Sequence, residues 1–282
     1  MYGSINLKKI QEMRFNMNDK VAIITDVHAN LEALKSVLID IKKQNIQQIY
    51  SLGDAIGLGN SPSECLNLMI ENNIEMIAGN AEEYLILGAD CFPYLKNNME
   101  RYNNAIWTES QLSKEQIDVL KKIPHTIELN INNKKVALCH FPIDVRYDYA
   151  GVWKYEGKNA QYFFDTNTSN DIRFSLPKTP PIISADNDPL FGGKTINNYD
   201  VIIYGHYHFY RYHKMKNIEF YSLNGTGVAI NNKSIYYVLE TIDGKLNISE
   251  KSVNYDFGTL YQKLDNTDYP NKKTFEKYIR KI

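Results

Sequence analysis

The sequence predicts an α/β fold in which two packed sheets carry helices on their outer faces, as the single domain of a 282-residue chain. Three observations predict it. Up to about residue 90, short apolar runs alternate with amphipathic segments, the rhythm of a βαβαβ unit with a parallel sheet and right-handed crossovers. Residues 125–140 read as a hairpin. From Tyr199 to about Val253, short strands alternate with turns, which reads as a second, mostly antiparallel sheet.

Each element has a local reason. VAIITDV (21–27) is a buried strand by its β-branched run. The segment 29–44 places Leu31, Leu34, Val37, Leu38 and Ile41 at helical spacing. QQIYSLGD (47–54) is the next strand. In 61–73, Ser61 is a natural N-cap and Pro62 takes the first helical position. IEMIAGN (74–80) closes the third strand–helix step. Residues 81–122 read as helices, with a second start at Ser113, whose partner Gln116 completes a capping box, and Pro124 ends the run. The hairpin then turns at Asn132-Asn133. Later turns fall at Asn224-Gly225, Asn231-Asn232 and Asp243-Gly244, and FGTLYQKLDN (257–266) reads as a helix. Residues 1–18 read as a flexible leader, with Met17 a second plausible start, and 19–282 as the domain. Residues 141–198 form an insertion poor in regular pattern that holds ten aromatics.

Bulk properties exclude several classes. With 32 basic and 33 acidic residues the net charge is −1, which argues against a nucleic-acid polymer or an anionic membrane surface as partner. No apolar run approaches the roughly 20 residues of a bilayer span, and the N-terminal stretch lacks the apolar core of a secretory signal. Cys65, Cys91 and Cys139 have neither metal nor redox spacing and fit reduced thiols in a cytoplasmic protein.

Five fragments carry the chemistry: Asp26-Val27-His28, Gly53-Asp54, Gly79-Asn80, Cys139-His140 and Gly205-His206-Tyr207-His208. Each follows a short apolar run, so each sits where a buried strand ends. Four of the six histidines fall in them. Carboxylate, amide and imidazole groups brought to one rim of a rigid sheet are what a metal site needs. A single Asp at a strand end is more often a turn residue, and a single His beside an apolar run is more often structural. Five such fragments together are not explained that way.

In this order the fragments resemble the calcineurin-like metallophosphoesterase superfamily, over about residues 20 to 230. TDVHANLEALKSVL, SLGDAIGLGNSPSECLNLM, LNGTGVAI and the tail SVNYDF look like its small bacterial phosphodiesterase branch, and within that branch like asymmetric diadenosine-tetraphosphate hydrolases. The resemblance implies a four-layer α/β/β/α sandwich of two mixed sheets. It also implies two divalent or trivalent ions (Mn, Fe or Zn), with Asp26, His28 and His208 at one, Asn80, His140 and His206 at the other, and Asp54 bridging both. Asp54, Asn80 and His140 are the expected catalytic residues. A hydroxide shared by the ions would attack phosphorus, since two ions about 3.5–4 Å apart can clamp the entering and leaving oxygens of an in-line displacement. Asn30 matches the family pattern as a substrate contact, although a helix N-cap accounts for it equally well. His125 and His213 match no motif and read as structural or surface residues.

One departure bears on the substrate. The usual third fragment carries His after Gly-Asn; here it is Ala81, followed by Glu82. That His is held to protonate the leaving oxygen. An alkoxide, with water-like acidity near pKa about 15.7, needs the proton. A phosphate leaving group, with a second pKa of about 6, does not. General acid catalysis is worth roughly 10²–10⁴-fold, so its loss points to nucleotide polyphosphates or aryl diesters, or to a stand-in such as Glu82 or His125. Arg146, Tyr147 and Arg173 in the insertion are candidates for gripping distal phosphates and stacking on a base. Alternatives are a phosphomonoesterase or protein serine/threonine phosphatase, which Ala81 disfavours, and a non-catalytic scaffold, which the intact ligand set disfavours. The expected partner is a small phosphate ester or nucleotide.

Overall fold

The computed structural model describes residues 13–14, 20–96, 98–141, 198–215, 217–228, 233–267 and 269–279. In chain order the elements begin with strand β1 (Met13–Arg14), β2 (Val21–Ile24), helix α1 (Leu31–Lys43), β3 (Gln48–Ser51), α2 (Pro62–Glu71), β4 (Glu75–Met76) and α3 (Asn80–Leu87). After a short 3-10 turn come α4 (Pro93–Lys96), α5 (Met99–Ser110), α6 (Lys114–Leu120), β5 (Thr126–Ile131) and β6 (Lys134–Cys139). The last third holds β7 (Val201–Tyr204), β8 (Arg211–Met215), β9 (Ile218–Ser222), β10 (Lys233–Ile242), β11 (Lys245–Asn254), α7 (Phe257–Asn266) and α8 (Lys272–Ile279). No described helix is long and apolar enough to cross a membrane.

These strands make two mixed sheets, packed together and flanked by helices in one α/β domain. One runs β1-β5-β6-β7-β9-β8 and the other β11-β10-β2-β3-β4. The period of two along each strand divides the core. Val21 and Ile23 of β2, Tyr50 of β3, and Tyr237 and Leu239 of β10 enter the seam between the sheets, against Val136, Leu138, Val201 and Ile203. The alternate residues Ala22, Ile24, Ile49, Tyr236 and Val238 face α1 and α2, whose Leu34, Leu38, Ile41, Leu66 and Met69 cover them. Ala137, Cys139, Ile202 and Tyr204 are buried as well, so β6 and β7 are covered on both faces.

The expected βαβαβ unit is present, with β2, β3 and β4 parallel and in register. The Ser113–Gln116 box closes with bonds of 3.2 and 2.8 Å. Ser61 caps α2 by position but makes no side-chain bond to it. Asn132-Asn133 and Asp243-Gly244 turn the two hairpins with positive φ at both central residues, the twist that a two-residue hairpin turn requires.

The stretch from Tyr199 onward is not one antiparallel sheet. Strand β7 pairs parallel on both sides, with β6 and β9, while β10 and β11 cross back to join β2. Alternation marks a strand but carries no information about its partner, so this division lay beyond the sequence. Asn224-Gly225 is accordingly no hairpin turn; it lies on the crossing from one sheet to the other. Helix α8 had no counterpart in the sequence reading. Within the expected leader, Met13–Arg14 pair parallel with Leu129 and Asn130 of β5. Asn231-Asn232, and the 141–198 insertion apart from Phe141 and its last residue Asn198, lie outside the described residues.

Candidate metal centre

All five sequence fragments converge at one end of the seam. Asp26 and His28 follow β2, Asp54 follows β3, Asn80 opens α3, His140 follows β6, and His206 and His208 follow β7. The backbone there is bent out of strand geometry. Asp26, His28, Asp54, His206 and His208 all have φ between 49° and 68°, a region that non-glycine residues visit rarely and at a cost. Backbone bonds hold the bends: His28 N–H donates to Asp54 O at 2.8 Å, Asp26 N–H to Gly53 O at 3.0 Å, and Gly227 N–H to Asp26 O at 3.0 Å.

The side chains form two clusters whose ligand atoms lie within 4.8 Å of one another. In the first, His208 Nε2 is 3.0 Å from His28 Nε2 and 3.1 Å from Asp26 Oδ1. In the second, His140 Nε2 is 3.2 Å from His206 Nδ1, and Asn80 Oδ1 is 2.9 Å from His206 Nδ1 and 3.2 Å from His140 Nε2. Asp54 Oδ2 lies between them, 3.7 Å from His28 Nε2 and 3.5 Å from His140 Nε2. Most of the atoms that meet here carry lone pairs, an arrangement that a cation satisfies and that hydrogen bonds among neutral imidazoles satisfy poorly. The mixed oxygen and nitrogen donors suit Mn, Fe or Zn.

For Asp26, Asp54 and His140 the fold itself engages the other end of the side chain. Asp26 Oδ2 accepts from the Thr25 hydroxyl at 2.6 Å and from His206 N–H at 3.0 Å. Asp54 Oδ1 accepts from Ala81 N–H at 2.8 Å. His140 Nδ1 meets the Leu52 carbonyl at 2.8 Å; donating there fixes the tautomer and turns the Nε2 lone pair toward the cluster. Burial, with nearby His208 adding, pushes His28 down to about 3, which keeps its ring neutral and able to donate a lone pair. Burial and nearby His140 hold His206 well below the ordinary range. Burial opposes ionisation of Asp26, but His208 and the other imidazoles outweigh it and hold the carboxyl far below the usual range. Asp54 goes the other way: burial pushes it to about 7, partly offset by His140 and reinforced by Glu82.

All three motif glycines are needed for space. A Cβ on Gly205 would fall 2.0 Å from Thr25 Oγ1 and 2.5 Å from Asp26 Oδ2, and one on Gly79 would fall 2.4 Å from Asp54 Oδ1. They allow loops from different strands to touch; of the three motif glycines only Gly53 has positive φ, at 93°.

Several sequence expectations find other occupations. Glu82, weighed as a stand-in acid, is fully buried, and its carboxylate accepts from the N–H groups of Gly79 (2.8 Å), Asp54 (2.9 Å), Ala55 (2.9 Å) and Ile56 (3.3 Å). It ties the second and third fragments together: burial raises its proton affinity, the backbone donors oppose that, and both of its oxygens are occupied as acceptors. His125 pairs with Glu83 at 2.9 Å, and His213 stacks on Phe220 at 4.7 Å. Asn30 caps α1, accepting from Ala33 N–H at 3.2 Å and donating to the Gly227 carbonyl at 2.7 Å, so both ends of its buried amide are engaged by the fold. Arg146, Tyr147 and Arg173 lie outside the described residues. Sequence reasoning missed Thr25, Tyr84 beside Asn80, and Tyr278 of α8, whose ring lies 5.6 Å from that of His208. Thr25 adjoins a motif and could have been flagged. Tyr278 is 70 residues further along the chain and carried no signal.

A fold of two stacked mixed sheets, with paired carboxylate–imidazole clusters at one end, defines a metal-dependent hydrolase class. The chain belongs to the calcineurin-like phosphoesterase family, whose model matches residues 19–210, and it is a hydrolase acting on phosphoesters. An uncharacterized protein of Methanocaldococcus jannaschii is 32% identical over 170 residues, which is 60% of this chain and 66% of that relative's length. A metallophosphoesterase from Sphaerobacter thermophilus shares the fold with a TM-score of 0.56 at 20% identity, over 91% of this chain and 96% of its own. A hypothetical protein from Pyrococcus horikoshii OT3 does so with a TM-score of 0.65 at 14% identity, over 93% and 98%.

Proposed function

We propose that this chain is a dinuclear phosphoesterase that cleaves nucleotide polyphosphates or phosphodiesters, with asymmetric hydrolysis of diadenosine tetraphosphate as its specific reaction. The observation that carries the reading is the single Asp54 oxygen facing imidazoles of both clusters. Asp26, His28 and His208 would hold one ion, Asn80, His140 and His206 the other, and Asp54 both. Bound there, the ions supply Lewis acidity and a nucleophile drawn from water near neutral pH.

The chain's own residues decide what can leave. Position 81 carries a methyl group that packs against the apolar layer beneath α1 and α2, so no proton reaches a departing oxygen from there. Glu82 is consumed by four backbone N–H groups and does not replace it. Substrates whose leaving group is already a stable anion are therefore favoured. A phosphate-bearing leaving nucleotide meets that condition, and a serine alkoxide does not. Arg146, Tyr147 and Arg173 are the proposed contacts to distal phosphates and base.

The test is a panel of nucleotides and model esters with Mn²⁺, read by product chromatography. Diadenosine tetraphosphate should give ATP and AMP, and aryl diesters should be cleaved far faster than a phosphoserine peptide. Matched aryl and alkyl esters turned over equally would overturn the leaving-group argument. Two ADP from the tetraphosphate would overturn the asymmetry.

A further inference from the structure

Asn80 is the amide among the proposed ligands, and its two ends differ. The oxygen faces His206 Nδ1 and His140 Nε2 at 2.9 and 3.2 Å. The nitrogen end lies 3.2 Å from the Tyr84 hydroxyl and 3.2 Å from Ala81 N–H. Turned over, the amide nitrogen would donate to both imidazoles and to Asp54 Oδ2 at 3.3 Å, while the oxygen accepted from Tyr84 and Ala81. An N–H cannot coordinate a cation, so only the oxygen-inward pose serves an ion.

The outer side decides which pose the protein supports. Ala81 N–H is a donor, and it already serves Asp54 Oδ1 at 2.8 Å. It can support an outward oxygen but not an outward nitrogen. Of the two groups there, the Tyr84 hydroxyl is the one with a lone pair to offer the Asn80 nitrogen. Helix geometry brings them together, since residues four apart share a face of α3. The Tyr84 ring is set edge-on to Phe92, with centroids 5.0 Å apart and planes at 72°.

We propose that Tyr84 is a positioning residue: its hydroxyl accepts from the Asn80 amide nitrogen and thereby keeps the amide oxygen turned to the ion at Asp54, His140 and His206. The inference rests on the ligand reading above. Removing the hydroxyl leaves Ala81 N–H as the remaining influence of the pair, and that favours the wrong pose.

The experiment measures Mn²⁺ binding by titration calorimetry and metal content, with unfolding temperature in chelator as a control for folding. In Tyr84→Phe, one ion should bind as in the wild type and the other about 10–100-fold more weakly, the usual cost of losing a group that orients a ligand. The unfolding temperature in chelator should not change. In an Asn80→Asp background the same substitution should alter affinity by less than about threefold, because a carboxylate has no nitrogen end to orient. Equal weakening in both backgrounds, or two ions bound by Tyr84→Phe as in the wild type, overturns the role of Tyr84. Asn80→Ala separates the premises. If it binds both ions normally, the ligand reading falls and takes this inference with it. If it loses one ion while Tyr84→Phe loses none, only the role of Tyr84 falls.

Discussion

Asp54 and Glu82 are buried carboxylates with opposite duties. Asp54 gives one oxygen to Ala81 N–H and turns the other to both clusters. Asp54→Asn removes the one anionic oxygen available to both ions, so turnover should vanish and the bound-metal count fall. Retention of more than a tenth of wild-type activity would remove Asp54 from the bridge. Glu82 gives both oxygens to backbone donors of two loops. Glu82→Gln puts an amide nitrogen against N–H groups that need an acceptor, at a cost of roughly 1–3 kcal/mol. Chemical denaturation should show that loss; an unchanged midpoint would show that the loops do not depend on the carboxylate. The residues that converge here were legible in the sequence as candidate ligands, because each lies at the end of an apolar run. The duty of Glu82 was not, because it is defined by backbone donors from a loop some 26 residues away, and side-chain pattern says nothing of those.

At the scale of elements, the site depends on loops that touch across the two sheets. The Gly205 loop after β7 lies against Thr25 and Asp26 after β2. Gly205→Ala forces the two apart. The expected cost is about 1–3 kcal/mol of stability from overpacking, together with weaker binding at Asp26, read by denaturation and metal titration. Normal stability and metal content in this variant would show that the contact can relax. Edge strand β8 carries a different sensitivity. Burial, then Arg211, lowers the proton affinity of His213 on its Phe220 stack. The unfolded chain therefore takes up a proton here first, and this contribution to stability is lost as pH falls below about 6.5. His213→Phe should flatten that part of the acid limb, seen by comparing denaturation midpoints of both proteins at pH 7.5 and 5.5. Parallel losses in the two would assign the acid limb elsewhere. Hairpin turns and helix caps were legible because local chemistry sets them. The placement of β7 between two parallel neighbours was not, since only the assembled sheet selects it.

For the whole molecule, the division of the candidate ligands between sheets matters most. Asp26, His28, Asp54 and Asn80 extend from the β11-β10-β2-β3-β4 sheet, and His140, His206 and His208 from the other. Each cluster draws on both. An ion that binds only the folded arrangement stabilises it by about 2.7 kcal/mol at a hundred times its dissociation constant. Chelation should therefore lower the unfolding temperature by on the order of 5 °C, and Mn²⁺ should restore it. A melting curve indifferent to chelator and Mn²⁺ would argue that the clusters hold no ion.

This placement has a mechanical side. The seam is filled by Ile23, Tyr50, Leu138, Ile203 and their neighbours, and apolar contact, being non-directional, resists separation better than it resists sliding. Coordination bonds are directional. An ion seated in either cluster would act as a rivet against shear between the sheets. Filling the centre should slow amide exchange jointly at the ends of β2 and β7, while edge strands β8 and β11 keep their apo rates.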